Sequence, residues 1–215
     1  MHRSKLVCLL ILLSAEAGAQ IIRPRYQLRE PTASASLGMG FQQGWSVSDG
    51  STNSTWDFGS ANPWVASLEK HISSGVSLGV RGTTASVPLR YQRVNGGDGS
   101  LSTDADANVS QLFGVLHVAN GTGFHSVLEL SAGATMYSNF RARPDAFPLN
   151  PGSQDFDFTF AFGYGLGYSL SPRFSIDVVQ DVMTMIHQTT GLDAGANNSV
   201  RVQQTRVVGR FGLGG

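Results

Sequence analysis

Seven charged side chains carry most of the chemistry this chain could do: Glu69, Arg81, Glu129, Asp177, Asp181, Arg206 and Arg210. They are scattered in sequence, so they act together only if the fold gathers them. Four acids and three arginines in a narrow, dry space must pair, because a lone buried charge is too costly to keep. Such a network would plug the space. The rival use of the same residues is a gated ion path. Other reactive groups are sparse. His125-Ser126 is the one adjacent His–Ser pair, and neighbours on an extended strand point to opposite faces. His71, His117 and His187 have no serine at a supporting spacing. A lipid acyl hydrolase needs a His, a Ser and often an acid brought together, so it is the least supported reading. The five histidines are too dispersed for a metal site. Gly163, Gly165 and Gly167 lack the G-x-G-x-x-G spacing and share one strand face, which makes them packing room. No catalytic residue, metal or cofactor is expected.

The element that must position these charges is clearest at Phe156 to Tyr168, F-D-F-T-F-A-F-G-Y-G-L-G-Y. Phe156, Phe158, Phe160, Phe162, Tyr164, Leu166 and Tyr168 share one parity. Asp157, Thr159, Ala161, Gly163, Gly165 and Gly167 share the other. Period two means an extended strand. At about 3.3 Å per residue it is roughly 40 Å long, enough to cross a bilayer when tilted by about 40°. The small face makes a poor solvated surface but a good lining for a narrow barrel. The aromatic face therefore reads as lipid-facing. The alternative is a central strand of a soluble sandwich, but those are usually much shorter.

Composition agrees. Charged residues are 14% of the 215-residue chain, against about 25% in an ordinary soluble domain. Net charge is zero, so nothing points to nucleic acid. Residues 1–19 read as a signal peptide: Arg3 and Lys5, then an apolar run from Leu6 to Leu13, then Ala17-Gly18-Ala19 as the cleavage site. Cys8 leaves with that segment, so the mature chain has no thiol chemistry and no disulfide. Residues 20–31 read as a short periplasmic leader, and residues 32–215 as the barrel domain. With no later transmembrane helix in the sequence, a spanning chain has to be a closed barrel.

Taken in order, strands are expected over 32–45, 63–72, 76–91 (with a break at Pro88), 106–119, 124–136, 156–168, 174–182 and 200–213. Tight turns fall at 73–75, 120–123 and 169–172, and long polar loops at 46–62, 95–105, 138–154 and 187–199. The fourth strand has two competing parities. Leu112, Leu116 and Val118 are preferred outward over Val109, Phe113 and Val115. Trp45 and Trp64 read as interfacial belt residues; the alternative is a ligand-binding loop around Trp45, Trp56 and Trp64. The architecture is all-β: an eight-stranded antiparallel up-and-down transmembrane β-barrel with short periplasmic turns and long extracellular loops.

At Gly163-Tyr164-Gly165-Leu166-Gly167-Tyr168, followed by Ser169-Leu170-Ser171-Pro172-Arg173-Phe174 and a strand carrying Asp181, the sequence resembles the small outer-membrane β-barrel family. That family includes outer-membrane proteins of the A, X and W types. The likeness covers the mature chain in layout and residues 156–181 in motif. It departs at the end, where Gly209, Phe211 and Leu213 approach the family's terminal aromatic signal but Gly214-Gly215 follow. The resemblance implies a Gram-negative outer membrane, with outer-membrane lipid, lipopolysaccharide and the barrel-assembly machinery as partners. The expected function is non-enzymatic: a structural, adhesive or surface-interaction role through loops that meet a surface ligand of unknown identity. The alternative is a narrow porin-like conduit for small solutes. A lipid A-modifying acyl hydrolase is third.

Overall fold

A computed structural model describes residues 31–49, 54–95, 99–119, 122–143, 148, 156–187 and 199–214. The signal peptide and nearly all of the leader lie outside the described residues, as do parts of the expected loops.

The strands are β1 (Ala33–Gln42), β2 (Trp45–Asp49), β3 (Ser54–Phe58), β4 (Trp64–Ser73) and β5 (Val76–Asn95), then β6 (Gly99–Ala119), β7 (Phe124–Ala142), β8 (Phe156–Ser171), β9 (Phe174–Ile186) and β10 (Ser199–Leu213). Every pairing is antiparallel. The order β4-β1-β10-β9-β8-β7-β6 is closed by β5, which pairs with both β4 and β6. Eight strands thus form a ring. The hairpin β2–β3 is added to the far end of β5, along Leu89–Arg93. Closure leaves no unpaired edge around the ring, as hydrocarbon demands. The first and last strands, β1 and β10, are joined at one end where the Thr32 amide donates to the Leu213 carbonyl at 3.0 Å.

Side-chain direction follows the alternation. Phe158, Phe160, Phe162, Tyr164, Leu166 and Tyr168 all point out of the ring and are 45–55% exposed. Asp157, Thr159, Ala161, Gly163 and Gly167 are buried. On β6, Leu112 is exposed while Val109, Phe113 and Val115 are buried, which is the preferred parity. Leu37, Leu68, Leu78, Val80, Leu128, Leu130, Val178 and Val207 continue an apolar band around the outside. Phe41 and Trp64 stand at its upper rim, with Phe124, Tyr168 and Phe211 at the lower. Such flanking aromatics are characteristic of membrane barrels. Among the described residues no helix is long and apolar enough to cross a membrane.

Four expectations need correction. First, the stretch 46–62 is not simply a polar loop, because β2 and β3 form a hairpin there. Second, Trp45 is not a belt residue: it is 5% exposed and stacks on Phe58 with centroids 4.7 Å apart. Third, Pro88 does not break its strand, and 95–105 is mostly strand, with only 96–98 between β5 and β6. Pro88 is tolerated because it faces outward and its carbonyl, its one backbone hydrogen-bonding group, accepts from the Gly59 amide at 2.7 Å. Fourth, β7 runs on to Ala142 and β9 to Ile186, beyond their expected ends.

These corrections share a cause. Above the apolar band the pattern inverts. Ser86, Arg90, Ser102 and Asp104 face water, while Trp45, Val47, Trp56, Phe58, Val87, Leu89, Tyr91 and Phe140 fill the inside. This upper storey is built like a soluble protein, with its oil within.

Candidate functional site

Among the described residues, chemistry-bearing side chains converge in the bore, and its contents change with height. The strands deliver them by parity alone: Ser67, Glu69 and His71 from β4, Ser77, Arg81 and Thr83 from β5, Asp177 and Asp181 from β9, Gln204, Arg206 and Arg210 from β10.

Nearest the end where Thr32 meets Leu213, Arg210 donates from Nη1 to Glu69 Oε2 at 2.6 Å and from Nε to Asp177 Oδ2 at 3.2 Å. Ser77 and Ser67 hydroxyls also donate to Glu69, at 2.7 and 2.9 Å. His125 Nε2 lies 3.5 Å from Asp177. One level up, Arg81 donates to Glu129 at 2.6 Å, and Arg206 donates to both Glu129 and, at 2.7 Å, Asp181. His117 Nδ1 is 2.8 Å from the other oxygen of Glu129. Arg81 also lies over the Phe113 ring, 5.3 Å from its centroid. The structure therefore brings all seven charged residues singled out from sequence into one connected cluster, with Glu129 at its centre. Arg81, Arg206, Glu129 and Asp181 are each 1–2% exposed. Glycine makes the room: a Cβ on Gly163 would come within 2.6 Å of Asp181 Oδ1.

Above the charges comes a neutral layer. Thr83 donates to Gln111, Gln111 donates to Thr135, and Thr135 bonds Thr159 at 2.8 Å. Next is a cluster outside the seven charged residues. The Tyr137 hydroxyl donates to Asp157 at 2.6 Å, and His187 Nδ1 lies 2.7 Å from the same carboxylate. Asp157 shared parity with Thr159 and Ala161, so its inward direction was readable. The sequence pattern predicts a loop from His187. This histidine has the parity of Met183 and Met185, which signals a longer β9. Aromatic rings cap the stack: Phe58 against Tyr137 at 5.4 Å, and Trp56 against Tyr91 at 4.5 Å and Phe140 at 4.8 Å.

This arrangement is suited to holding the wall together. His117, His125 and His187 each face a carboxylate. His71 lies opposite Ser77 in the β4–β5 register, a proximity the spacing did not suggest. The Ser77 hydroxyl, however, is spent on Glu69 at 2.7 Å. Among the described residues no three acids, histidines or cysteines are placed to hold a metal ion.

No protein-family profile matches the chain, and no curated protein sequence matches it. Solved structures do. Neisserial surface protein A superposes with a TM-score of 0.50 at 13% identity, over 85% of this chain and 97% of that one. OprG of Pseudomonas aeruginosa gives 0.49 at 12% identity, over 86% and 98%. Ail, the attachment invasion locus protein of Yersinia pestis, gives 0.42 at 17% identity, over 83% and 99%. At these identities the likeness concerns the fold alone, and the fold is that of the small eight-stranded outer-membrane barrels.

Proposed function

We propose that this chain, an outer-membrane barrel by fold, is a sealed anchor that holds a rigid collar above the lipid and makes its contacts there. It passes no solute and performs no reaction. The observation that carries the reading is the filled bore. From Arg210 and Glu69 at one end to Trp56 and Phe140 at the other, each level holds side chains bonded or stacked to one another. An eight-stranded ring has just enough interior for such filling. A solute would have to part buried ion pairs on its way, and breaking one costs about 3–5 kcal/mol.

Two measurements test this. The purified protein in planar lipid bilayers should show no stable conductance; channels of porin size would favour the conduit instead. Cells carrying the protein should adhere to their target surface. Replacing residues 149–155 and 188–198 by short Gly-Ser linkers should abolish adhesion while leaving heat-modifiable gel mobility intact. Unchanged lipid A mass spectra with and without the protein would agree with a non-enzymatic role, and a lost acyl chain would overturn it.

A further inference from the structure

Two methionines and a histidine follow one another on the inner face of β9 and just beyond it. The stretch Val182-Met183-Thr184-Met185-Ile186-His187 puts Met183, Met185 and His187 on one parity, and they are 1%, 0% and 7% exposed. Among the described residues the other methionines, Met39 and Met136, face outward. Counting histidines alone predicts no metal site, but thioethers are a different class of donor. They are soft and select copper(I). Met183 Sδ lies 3.8 Å from Gln111 Nε2, and Met185 Sδ lies 3.7 Å from the Tyr137 hydroxyl. That hydroxyl donates to Asp157, whose other oxygen is 2.7 Å from His187 Nδ1. Met185 and His187 thus border the same Tyr137–Asp157 pair.

His187 is the anomaly. Its neighbour Asp157 is an acceptor, already taking the Tyr137 proton, so the proton of the neutral ring sits on Nδ1. Nε2 then carries a lone pair, yet it is buried and no hydrogen bond reaches it. A carboxylate on one ring nitrogen and an open second nitrogen is the arrangement that orients a metal-binding histidine. Charge points the same way. Glu69, Glu129, Asp177 and Asp181 each pair with an arginine. Among the described residues Asp157 pairs with no arginine or lysine, only with His187. We infer that Met185, His187 and Met183 form a site for a soft monovalent cation of the copper(I) class. Calcium and magnesium want oxygen ligands, and the carboxylate here is spent on Tyr137 and His187. Zinc wants thiolate, imidazole or carboxylate in a tetrahedral set, and His187 Nε2 is one such donor among two thioethers. Methionine's three rotatable bonds let the sulfurs swing onto the ion without moving the strand. Phe58 stacks on Tyr137 at 5.4 Å and covers the level below, so the ion enters while the chain folds. The site goes beyond the sealed-anchor reading and would stand even if the bore conducted.

The test folds the full chain in detergent with silver(I), the redox-stable counterpart of copper(I), in chloride-free buffer. Native mass spectrometry then reads the ion retained after free silver is removed. The unaltered protein should retain one silver ion, and no zinc(II) when zinc is supplied instead. Met185→Leu and His187→Gln should each weaken retention about 10–100-fold, the scale on which losing even a supporting partner of a metal ligand is felt. Leucine nearly conserves the volume of methionine, so the packing around it is kept. Met39→Leu and Met136→Leu, on the outer wall, should retain silver as the unaltered protein does. Heat-modifiable mobility identifies the folded variants. Methionine methyl NMR of the unaltered protein gives a reading that needs no inner variant. The two outer signals are assigned by Met39→Leu and Met136→Leu, and silver should shift those of Met183 and Met185 while leaving the outer two in place. Failure of the unaltered protein to retain silver, equal retention of zinc(II), full retention by the folded Met183→Leu/Met185→Leu double variant, or a shift of the outer methyls alone would each overturn the site.

Discussion

Glu129 is the residue on which the lower bore depends. Its carboxylate meets Arg81, Arg206 and His117 directly, with Arg210 at 3.8 Å. Glu129→Gln would leave two arginines sharing Asp181, and an uncompensated buried charge costs about 3–5 kcal/mol. Urea unfolding from lipid vesicles should show a loss of that size. Asp104→Asn, which breaks an exposed pair with Arg90, should cost under about 1 kcal/mol. Equal losses would mean the bore is hydrated. Glycines divide in the same way. A Cβ on Gly165 would lie 2.0 Å from the Val178 carbonyl oxygen on the next strand, whereas one on Gly82 finds nothing nearer than 3.9 Å. Gly165→Ala should therefore slow or prevent folding into vesicles, and Gly82→Ala should fold as the unaltered protein does. The charged positions were legible in sequence because each sat opposite large apolar neighbours on its own strand. Tyr137 shares the parity of Thr135 but falls just past the expected strand end at 136, and Phe140 lies beyond an irregularity that parity alone does not reveal.

That irregularity shows how an element can mislead a period-two reading. Between Asp106–Asn108 on β6 and Ser138–Arg141 on β7 the register slips by one residue. Asn139 absorbs the slip in the left-handed region, at φ 55°, where asparagine is tolerated far better than a β-branched residue. The bulge lets both Tyr137 and Phe140 face inward. Asn139→Gly should leave stability nearly unchanged, and Asn139→Val should cost about 1–2 kcal/mol, read by thermal unfolding of the folded gel band. The β2–β3 hairpin was hidden for a different reason. In hydrocarbon, large residues point out and small ones in; in water the arrangement reverses. Trp45, Val47, Trp56 and Phe58 alternate with Ser46, Ser48, Thr55 and Asp57. A reader tuned to the membrane pattern sees only a polar loop with stray aromatics. Trp56→Ala should cost about 3–5 kcal/mol, as expected for a ring 3% exposed in a packed cluster.

At the scale of the molecule the two patterns stack into two storeys. The 20 residues of β5 reach about 65 Å, or about 50 Å in height at a tilt of about 40°. The apolar band of such barrels is only about 25 Å tall, so roughly half the strand stands in water. The three tryptophans sample this division. Trp64 is 56% exposed at the rim of the band, while Trp45 and Trp56 are 5% and 3% exposed inside the collar. Single-tryptophan variants reconstituted in vesicles separate the storeys. Trp64 alone should be quenched strongly by brominated lipid chains. Trp45 alone and Trp56 alone should be quenched neither by brominated lipid nor by aqueous iodide, because the collar wall stands between them and both phases. Quenching of Trp45 by lipid would place the band higher on the barrel and make the collar part of the membrane. Quenching of Trp56 by iodide would mean that water reaches the cap, and the bore would lose the seal on which its proposed role rests.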